Sequence, residues 1–440
     1  MLIRLMLPAL AAALMSFPLT AASTPTFTKD VAPILYKNCA TCHRTGDIGP
    51  MPLLTYQQAR PWAASIREQV STGQMPPWHS VDAHGTFSND RRLSDADKDT
   101  LLRWAAGGAP PGDPKDLPAL PKFTEGWEIG TPDVVLTMPK AFDVPAKGTV
   151  NYQFFQIPTN FTEDKWVQAI EVRPGARAVV HHILVFSRER GATPRKQPYM
   201  PVAFGPATNP STSPATGSSN NDAPSGPARQ RRGEPGEMGT LIATTAPGTN
   251  AMVFAAGDAM RIHAGATLLL QVHYTANGTA ASDQSSVGLI FAKQAPKQEV
   301  RSSSFVNAGL KLLPGADNQE VDSAIEFNQD SHITALFPHT HLRGKSWQYT
   351  MVYPDGRRQE ILSVPKYDFN WQTYYIFTKP LAAPKGSRIE AVAHYDNSAN
   401  NKWNPDPTVE VHWGQQTWQE MQYTGITYTV DKPLITSLQK

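Results

Sequence analysis

The 440-residue chain has little of several features that would point to common functions. Cysteine occurs twice, at Cys39 and Cys42, so no disulfide framework can stabilise the rest of the chain. The chain has 40 Lys and Arg against 38 Asp and Glu, which leaves no excess of positive charge to neutralise phosphates. We therefore expect no nucleic-acid partner. The longest apolar run, residues 5–15, is shorter than the roughly 20 residues that span a bilayer, so no stable membrane insertion is expected.

The N-terminus has the pattern of a secretory signal. Arg4 is followed by the apolar run 5–15 and then by the small residues Ala21, Ala22 and Ser23. We predict a signal peptide over 1–23 and a periplasmic or secreted protein. An uncleaved anchor is the alternative.

A haem-attachment motif follows this segment. In Cys39-Ala40-Thr41-Cys42-His43 the two thiols can add to two haem vinyl groups, and the adjacent His43 can reach the iron. A thioredoxin-like dithiol and half of a structural zinc site are the alternatives. The first needs a βαβ context and the second needs two further ligands, and neither is visible. We predict one covalently bound haem c.

A second iron ligand is needed if the haem carries electrons. Met75 is the candidate, because the prolines after it in Met75-Pro76-Pro77-Trp78 prevent a continuing helix and hold an extended loop. Met51 is the competitor, and His79 and His84 are weaker alternatives.

Capping residues predict helices around this motif. One runs from Thr55 to about Thr72, and another is capped by Ser94 and ends at Gly107. We predict a small all-α cytochrome c-like domain over 24–113, followed by a proline-rich linker over 114–127.

The remainder of the chain has the composition of β-sandwiches. Short apolar runs at 150–157, 267–274 and 333–337 are separated by Pro, Gly and Asn, and the chain holds 39 Pro and 30 Gly. We predict two sandwich domains over 128–295 and 296–440. A stretch at about 191–250 is too poor in apolar residues to form a core and is predicted to be a long loop.

Five histidines in this region have settings that suit metal binding. His339 and His341 are two apart, so in a strand both would point to one face. His181 and His182 are adjacent and could share an ion with His273 only if their strand twists or bulges, or if they use different ring nitrogens. A single strand histidine more often binds a carbonyl, but their number beside a haem favours a redox metal. Blue copper needs a cysteine thiolate, and zinc would leave the haem without a partner, so copper held by imidazoles is predicted.

The order of these motifs resembles a known family. His181-His182, Gln271-Val272-His273-Tyr274, His339-Thr340-His341 and Glu420-Met421 are similar to motifs of the copper type II ascorbate-dependent monooxygenases, which include peptidylglycine α-hydroxylating and dopamine β-monooxygenases. The resemblance implies two jelly-roll sandwiches and two copper ions. His181, His182 and His273 would hold the electron-transfer copper; His339, His341 and Met421 would hold the catalytic copper, where O2 binds.

The resemblance also implies hydroxylation of a C–H bond of a small organic substrate. Ascorbate or a redox protein would donate electrons, relayed by the haem. The N-terminal segment is similar to bacterial cytochrome c domains of the Met-Pro-Pro-Trp type. The carboxylate-binding residues of the peptide-amidating branch are absent, because Phe337, Tyr423 and Gly425 stand at those positions. A less acidic substrate is therefore expected.

Two other functions remain open from the residues. One is a periplasmic haem and copper protein that carries electrons or handles copper without oxidising a substrate. The other is a zinc hydrolase, which is disfavoured because no H-E-x-x-H motif is present. Glu420, Asp258, Tyr274 and Asp396 are candidates for orienting the ligands.

Overall fold

The computed structural model describes residues 23–123, 126–189, 199–202, 239–246 and 251–431. The predicted signal peptide lies outside these residues except for Ser23, and so does most of the predicted loop at 191–250. Within the described residues, the helices are all too short or too polar to cross a membrane.

The helices of the described residues are short and lie near the N-terminus. A π-helical turn, Phe27–Val31, leads into α1 (Ala32–Asn38); α2 (Tyr56–Ala59), a 3₁₀ turn (Arg60–Trp62) and α3 (Ala63–Ser71) form one run; α4 spans Asp95–Ala106, and a second 3₁₀ turn spans Pro114–Asp116. Thr55 caps the α2 run through a capping box with Gln58. Ser94 caps α4, which ends at Gly107. Both helices expected from their caps are therefore present.

Strands make up most of the remaining described residues. In chain order they are β1 (Val134–Thr137), β2 (Phe142–Val144), β3 (Gln153–Pro158), β4 (Lys165–Arg173), β5 (Val180–Arg188), β6 (Tyr199–Val202), β7 (Thr240–Thr245), β8 (Ala251–Val253), β9 (Asp258–Ile262), β10 (Thr267–Tyr274), β11 (Ala281–Asp283), β12 (Ser286–Phe291), β13 (Gln298–Val306), β14 (Lys311–Leu312), β15 (Gln319–Phe327), β16 (Ser331–His339), β17 (Gly344–Val352), β18 (Arg358–Val364), β19 (Tyr375–Ala383), β20 (Arg388–Tyr395), β21 (Val411–His412) and β22 (Tyr423–Val430).

One large sheet passes through both halves of the β region. Its nine strands follow the order β1-β12-β4-β9-β13-β22-β16-β19, with β8 beside β4, and the two halves join where β9 pairs with β13 in parallel. A four-stranded sheet has the order β3-β10-β5-β7, and a five-stranded sheet has the order β18-β17-β20-β15-β6. Two small pairs, β2 with β11 and β14 with β21, complete the arrangement.

Apolar side chains on one face of each strand fill two separate cores. One core lies between the four-stranded sheet and the first half of the large sheet and includes Ile183, Leu270 and Val172. Another lies between the five-stranded sheet and the second half and includes Tyr349 and Ile426. Alternate residues of β5, β10, β16 and β22 face away from these cores, because successive side chains of a strand point to opposite faces.

The predicted fold class, a small all-α cytochrome c-like domain followed by two all-β jelly-roll sandwich domains, is wrong. The structure is mainly β-sheet with short helices, and no distinct all-α domain is present in the described residues. The nine-stranded sheet also runs across the two predicted sandwiches, so they share one sheet. The helices have apolar contacts of their own around Phe27, Leu35 and Trp104.

The loop between α3 and α4 explains why the helical segment is not separate. Trp78 and Phe87 are 6% and 2% exposed and belong to the core beneath the five-stranded sheet. The backbone joins them there, since Ser88 N–H donates to Ile376 O at 2.8 Å and Val81 N–H donates to Ser363 O at 3.1 Å. No local pattern indicated this packing, because apolar residues beside a predicted haem motif are expected to pack locally.

We predict that Phe87→Ala destabilises the second half of the β region by about 3–5 kcal/mol, because it leaves a cavity where a packed aromatic ring was. Urea unfolding followed by the far-ultraviolet signal of the strands measures this. Val81→Ala is the matched control, since Val81 is 62% exposed in the same loop. That change should stay within about 0.5 kcal/mol. Equal losses of stability in the two variants would contradict the packing of this loop into the core beneath the five-stranded sheet.

Candidate functional site

The predicted ligands meet where the four-stranded sheet faces the second half of the large sheet. An apolar cluster fills this interface and includes Leu184, Phe186, Leu269, Phe337 and Met421. Strand alternation places ligands on the same faces as these residues, an even number of positions away: two along β5 and β16 and four along β10. The ligands concerned are His182, His273 and His339.

A β-bulge lets adjacent histidines share one face. In the pairing of β10 with β5, His273 lies opposite His182, and the next residue, Tyr274, lies opposite Val180. His181 is thus the extra residue of the bulge. Of the alternatives that would let His181 and His182 bind one ion, a twist, a bulge or the use of different ring nitrogens, the structure has the bulge.

The first histidine group, His181, His182 and His273, is close enough to share an ion. One ring nitrogen of each lies within 4.8 Å of the others. The Nδ1 atoms of His181 and His182 are 3.1 Å apart. Nδ1 of His273 is buried and has no hydrogen-bond partner among the described residues. Three imidazoles whose ring nitrogens converge in this way suit a transition-metal ion.

In the second group, His339 and His341, the ring nitrogen available to a metal is Nε2. His341 Nδ1 lies 3.1 Å from Gln419 O, a carbonyl that can only accept, so Nδ1 carries the proton. His339 Nδ1 likewise lies 3.0 Å from Gln372 Oε1. The lone pair of each ring is therefore on Nε2. Nε2 of His341 is buried without a hydrogen-bond partner in the described part of the chain. Such orientation of the ring by its other nitrogen is typical of metal ligands.

Met421 lines a small cavity with this second group. The cavity has a volume of about 30 Å³, and His339, His341, Met421, Gln271 and Tyr423 are among its lining residues. A space of this size holds one small molecule or ion. The thioether and two imidazoles form a ligand set that suits copper, above all Cu(I).

The carboxylate of Glu420 holds the second group together. Its Oε2 accepts from the backbone N–H groups of His341, at 2.8 Å, and Met421, at 3.0 Å. Its Oε1 accepts from the N–H of Arg343 at 2.7 Å. Burial raises the pKa of Glu420 to about 7, although these donors lower it. The buried carboxylate therefore fixes the His-x-His turn against the residue that carries the sulfur.

The two groups form one continuous cluster. The rings of His182 and His339 are 6.4 Å apart between centroids. Tyr152 contacts both groups, with its ring 4.8 Å from His273 and 6.2 Å from His341. Phe369 covers the cluster from the other side, and its ring stacks on His181 at 5.6 Å.

All five imidazoles are held neutral. Burial lowers the pKa of His181 to about 4, of His273 to about 3 and of His339 to about 4. Burial also lowers the pKa of His182 and His341 well below the ordinary value, and neighbouring histidines lower both further. Neutral imidazoles are the form that binds metals.

The haem motif has the geometry expected of an iron ligand at His43. Its Nδ1 donates to Met51 O at 3.1 Å, which leaves Nε2 for a metal. A Cβ at Gly49 would lie 2.9 Å from His43 Nδ1, so glycine permits this close packing. Burial raises the pKa of Cys39 to about 12 and also raises the pKa of Cys42. Neutral thiols argue against a reactive dithiol, which needs a thiolate.

Met75 lies in a cleft of about 1180 Å³ between the helical segment and the second half of the β region. His79 and His84 also line this cleft, and so does Phe369, which contacts the histidine cluster. The carbonyl oxygen of Met51 contacts His43 Nδ1, so the backbone of Met51, the competing ligand, lies on the side of the ring away from Nε2. Met75 therefore remains the candidate for the second iron ligand.

Sequence reasoning missed Gln372, Tyr152 and Phe369, because each is a single residue far from the motifs along the chain. The four remaining β-region histidines each contact a carboxylate. The pairs are His263 with Asp164, His332 with Asp431, His394 with Glu320 and His412 with Glu410. Of the other orienting candidates, Tyr274 donates to Asp283 at 2.7 Å.

Comparisons with known proteins name no family. No protein-family model and no curated protein matches the chain. Among solved structures, the major capsid protein P2 of bacteriophage PM2 is 10% identical with a TM-score of 0.25, covering 68% of this chain and 97% of that one. The mavirus major capsid protein is 7% identical with a TM-score of 0.20, covering 72% and 90%. A fucolectin from striped bass is 8% identical with a TM-score of 0.13, covering 66% and 85%. At such TM-scores the likeness carries no argument about function.

We predict that the metal-free protein loses stability as the pH falls from 6.5 toward 4. The pKa of His181 falls to about 4 on folding from 6.5, so in this window the unfolded chain binds more protons. Each such histidine contributes up to about 1.4 kcal/mol per pH unit. The pKa of Glu420 is raised to about 7 from 4.5, so this carboxyl binds more protons in the folded chain and acts in the opposite direction. Its effect offsets that of about one histidine.

Urea unfolding of chelator-treated protein at pH 5 and pH 7 measures this dependence. His339→Gln should flatten it, whereas Val81→Ala, at an exposed side chain that carries no titratable group, should leave it unchanged. Greater stability at pH 5 than at pH 7 in the wild type would show that the cluster is not held neutral.

We also predict that Glu420→Gln destabilises the protein by about 1–3 kcal/mol, because the amide N–H₂ would face a backbone N–H that then lacks an acceptor. Bound copper per chain should fall as well, since Met421 and His341 lose their common anchor. Unfolding in urea and metal analysis measure both effects. Glu410→Gln, at a side chain that is 36% exposed, is the control and should change neither. A Glu420→Gln protein as stable as the control would exclude this role.

Proposed function

We propose that the protein is a copper-dependent monooxygenase that hydroxylates a C–H bond of a small organic substrate with O2. An attached c-type haem would relay electrons to it from ascorbate or a redox protein. The observation that carries this proposal is the convergence of two histidine groups and one thioether, with buried ring nitrogens that have no hydrogen-bond partners among the described residues.

The ligand set supports copper as the metal. Imidazole accepts several transition metals, whereas a thioether selects the softer Cu(I). Copper, when bound, supplies one-electron redox chemistry and reactivity toward O2. His181, His182 and His273 would hold one ion; His339, His341 and Met421 would hold the other. The different ligands would give the two ions different redox properties.

The surrounding residues would orient the ligands and exclude water. Gln419 O fixes the His341 ring through Nδ1, and Glu420 fixes its backbone. Phe337 stacks on the His339 ring, with centroids 6.0 Å apart, and is itself stacked on Tyr374. This apolar wall keeps bulk water from the second group.

The same apolar wall also affects which kind of substrate could bind. Phe337 is fully buried beside His339, and a Cβ at Gly425 would lie 3.2 Å from Phe337 Cβ. Neither residue can bind a carboxylate. An apolar or aromatic substrate therefore suits this face better than an acidic peptide.

The N-terminal segment supports the haem part of the proposal. Cys39 and Cys42 would attach the haem, His43 would bind its iron, and Met75 would be the second ligand. Arg177 lies 3.6 Å from Asp47 and so joins this segment to the first half of the β region, four residues before His181 along the chain. An N-terminal signal peptide would deliver the chain to the periplasm, where such haem attachment takes place.

A second function is favoured by one observation. The cavity beside Met421 has a volume of only about 30 Å³, which leaves no room for an organic substrate in this conformation. A periplasmic haem and copper protein that carries electrons or handles copper would not need such room. Both functions require copper and haem, so only turnover separates them.

The test uses the holoprotein, with intact mass and metal analysis to show one attached haem and two copper ions per chain. The haem is reduced anaerobically with ascorbate, O2 is admitted, and candidate substrates are screened for a mass gain of one oxygen atom. We predict that Met421→Ile abolishes the product and leaves the haem spectrum unchanged.

Met351→Ile is the matched control, because Met351 is fully buried in the core beneath the five-stranded sheet. This variant should retain activity. Hydroxylation by Met421→Ile at the wild-type rate would overturn the ligand assignment. O2 consumption that never depends on an added substrate would favour the electron-carrier function.

A further inference from the structure

Gln372 lies between the two histidine groups and contacts both. It follows β18 in the loop 365–374, and its side chain is fully buried. Its Oε1 is 3.0 Å from Nδ1 of His339, and its Nε2 is 3.2 Å from Nδ1 of His182. One amide thus contacts one candidate ligand from each group.

The orientation of this amide is fixed by a third contact. Nε2 of Gln372 also lies 3.4 Å from Phe369 O, a carbonyl that can only accept a hydrogen bond. The nitrogen must therefore face Phe369 and His182, and the oxygen must face His339. It follows that His339 Nδ1 is protonated and that His182 Nδ1 carries the lone pair.

The loop that carries Gln372 is attached to the second group. The Tyr367 hydroxyl donates to Thr340 O at 3.0 Å and lies 3.3 Å from Thr340 N, between His339 and His341. Phe369 of the same loop stacks on the His181 ring. The amide is consequently held in place from both sides and has little freedom to turn.

We propose that Gln372 is a positioning residue that orients His339 for copper, competes with copper for His182 Nδ1, and so couples the loading of the two groups. The inference rests on the proposed function, because it takes both groups to bind copper. His339 needs the amide oxygen to keep Nε2 free. His182 Nδ1, in contrast, receives the amide N–H in the direction from which the first ion would bind. An ion that binds the first group therefore displaces the Gln372 N–H from His182. Because the oxygen of the same amide orients His339, this displacement also affects the second group.

Two substitutions separate the two ends of the amide. Gln372→Leu removes both contacts, so copper affinity of the second group should fall about 10–100-fold, as for other residues that orient metal ligands. The first group loses only a competing donor and should not weaken. Gln372→Glu keeps an oxygen for His339 but removes the N–H facing His182, so the second group should stay within about threefold of wild type.

The readouts are competition for Cu(I) with a chromophoric chelator and the Cu(II) electron paramagnetic resonance spectrum of the haem-containing full chain. Gln422→Leu is the matched control, because Gln422 is also fully buried but bonds to Asn307 N–H and away from the histidines. It should leave both copper affinities within about threefold of wild type.

Coupling itself is measured by a double-mutant cycle of His339→Gln with Gln372→Leu. His339→Gln should change the copper affinity of the first group in the wild-type background and leave it unchanged when Gln372 is Leu. Equal effects in the two backgrounds would overturn the coupling. Wild-type affinities and spectra in Gln372→Leu, or losses equal to those of Gln422→Leu, would overturn the positioning role. Absence of copper from the wild-type protein would instead refute the proposed function.

Discussion

The second histidine group depends on one buried carboxylate. Glu420 accepts from three backbone N–H groups, at His341, Arg343 and Met421, and it is fully buried. Two of these donors lie just after β16 and the third lies just before β22, so the carboxylate joins the ends of paired strands. Without this junction His341 and Met421 would lie on two separate loops. A carboxylate with several backbone donors is suited to such a position, because it satisfies groups that would otherwise be buried without partners.

Strand alternation does the remaining positioning. Residues of β5, β10 and β16 that face outward from the cores form an apolar interface, and the histidines continue these same faces at the strand ends. The bulge at His181 adds the one side chain that strict alternation would exclude. The site is thus built from rigid elements of both halves, and the loop carrying Phe369 and Gln372 covers it. Rigid strands with a covering loop are a common way to hold a metal site in fixed geometry.

Much of the candidate site was predictable, because its residues occur in short motifs with local geometric consequences. The two-residue spacing of His339 and His341 indicated a common face, and adjacency at His181 indicated a bulge. Helix caps at Thr55 and Ser94 gave the positions of two helices. The residues that escaped prediction act across long separations. Trp78 and Phe87 join a core formed by much later strands, and Gln372 lies 190 residues from His182. No local pattern encodes such contacts.

Five neutral imidazoles in one buried cluster are a liability for the metal-free chain. Their burial withholds lone pairs from water, and the ring nitrogens without a hydrogen-bond partner among the described residues include His273 Nδ1 and His341 Nε2, one from each group. Unsatisfied buried nitrogens cost about 1–3 kcal/mol each. Ions that bind these nitrogens would remove that cost and at the same time join the four-stranded sheet to the large sheet. Because an ion that binds the folded state alone stabilises it, metal loading and the association of the two sheets would be one linked equilibrium.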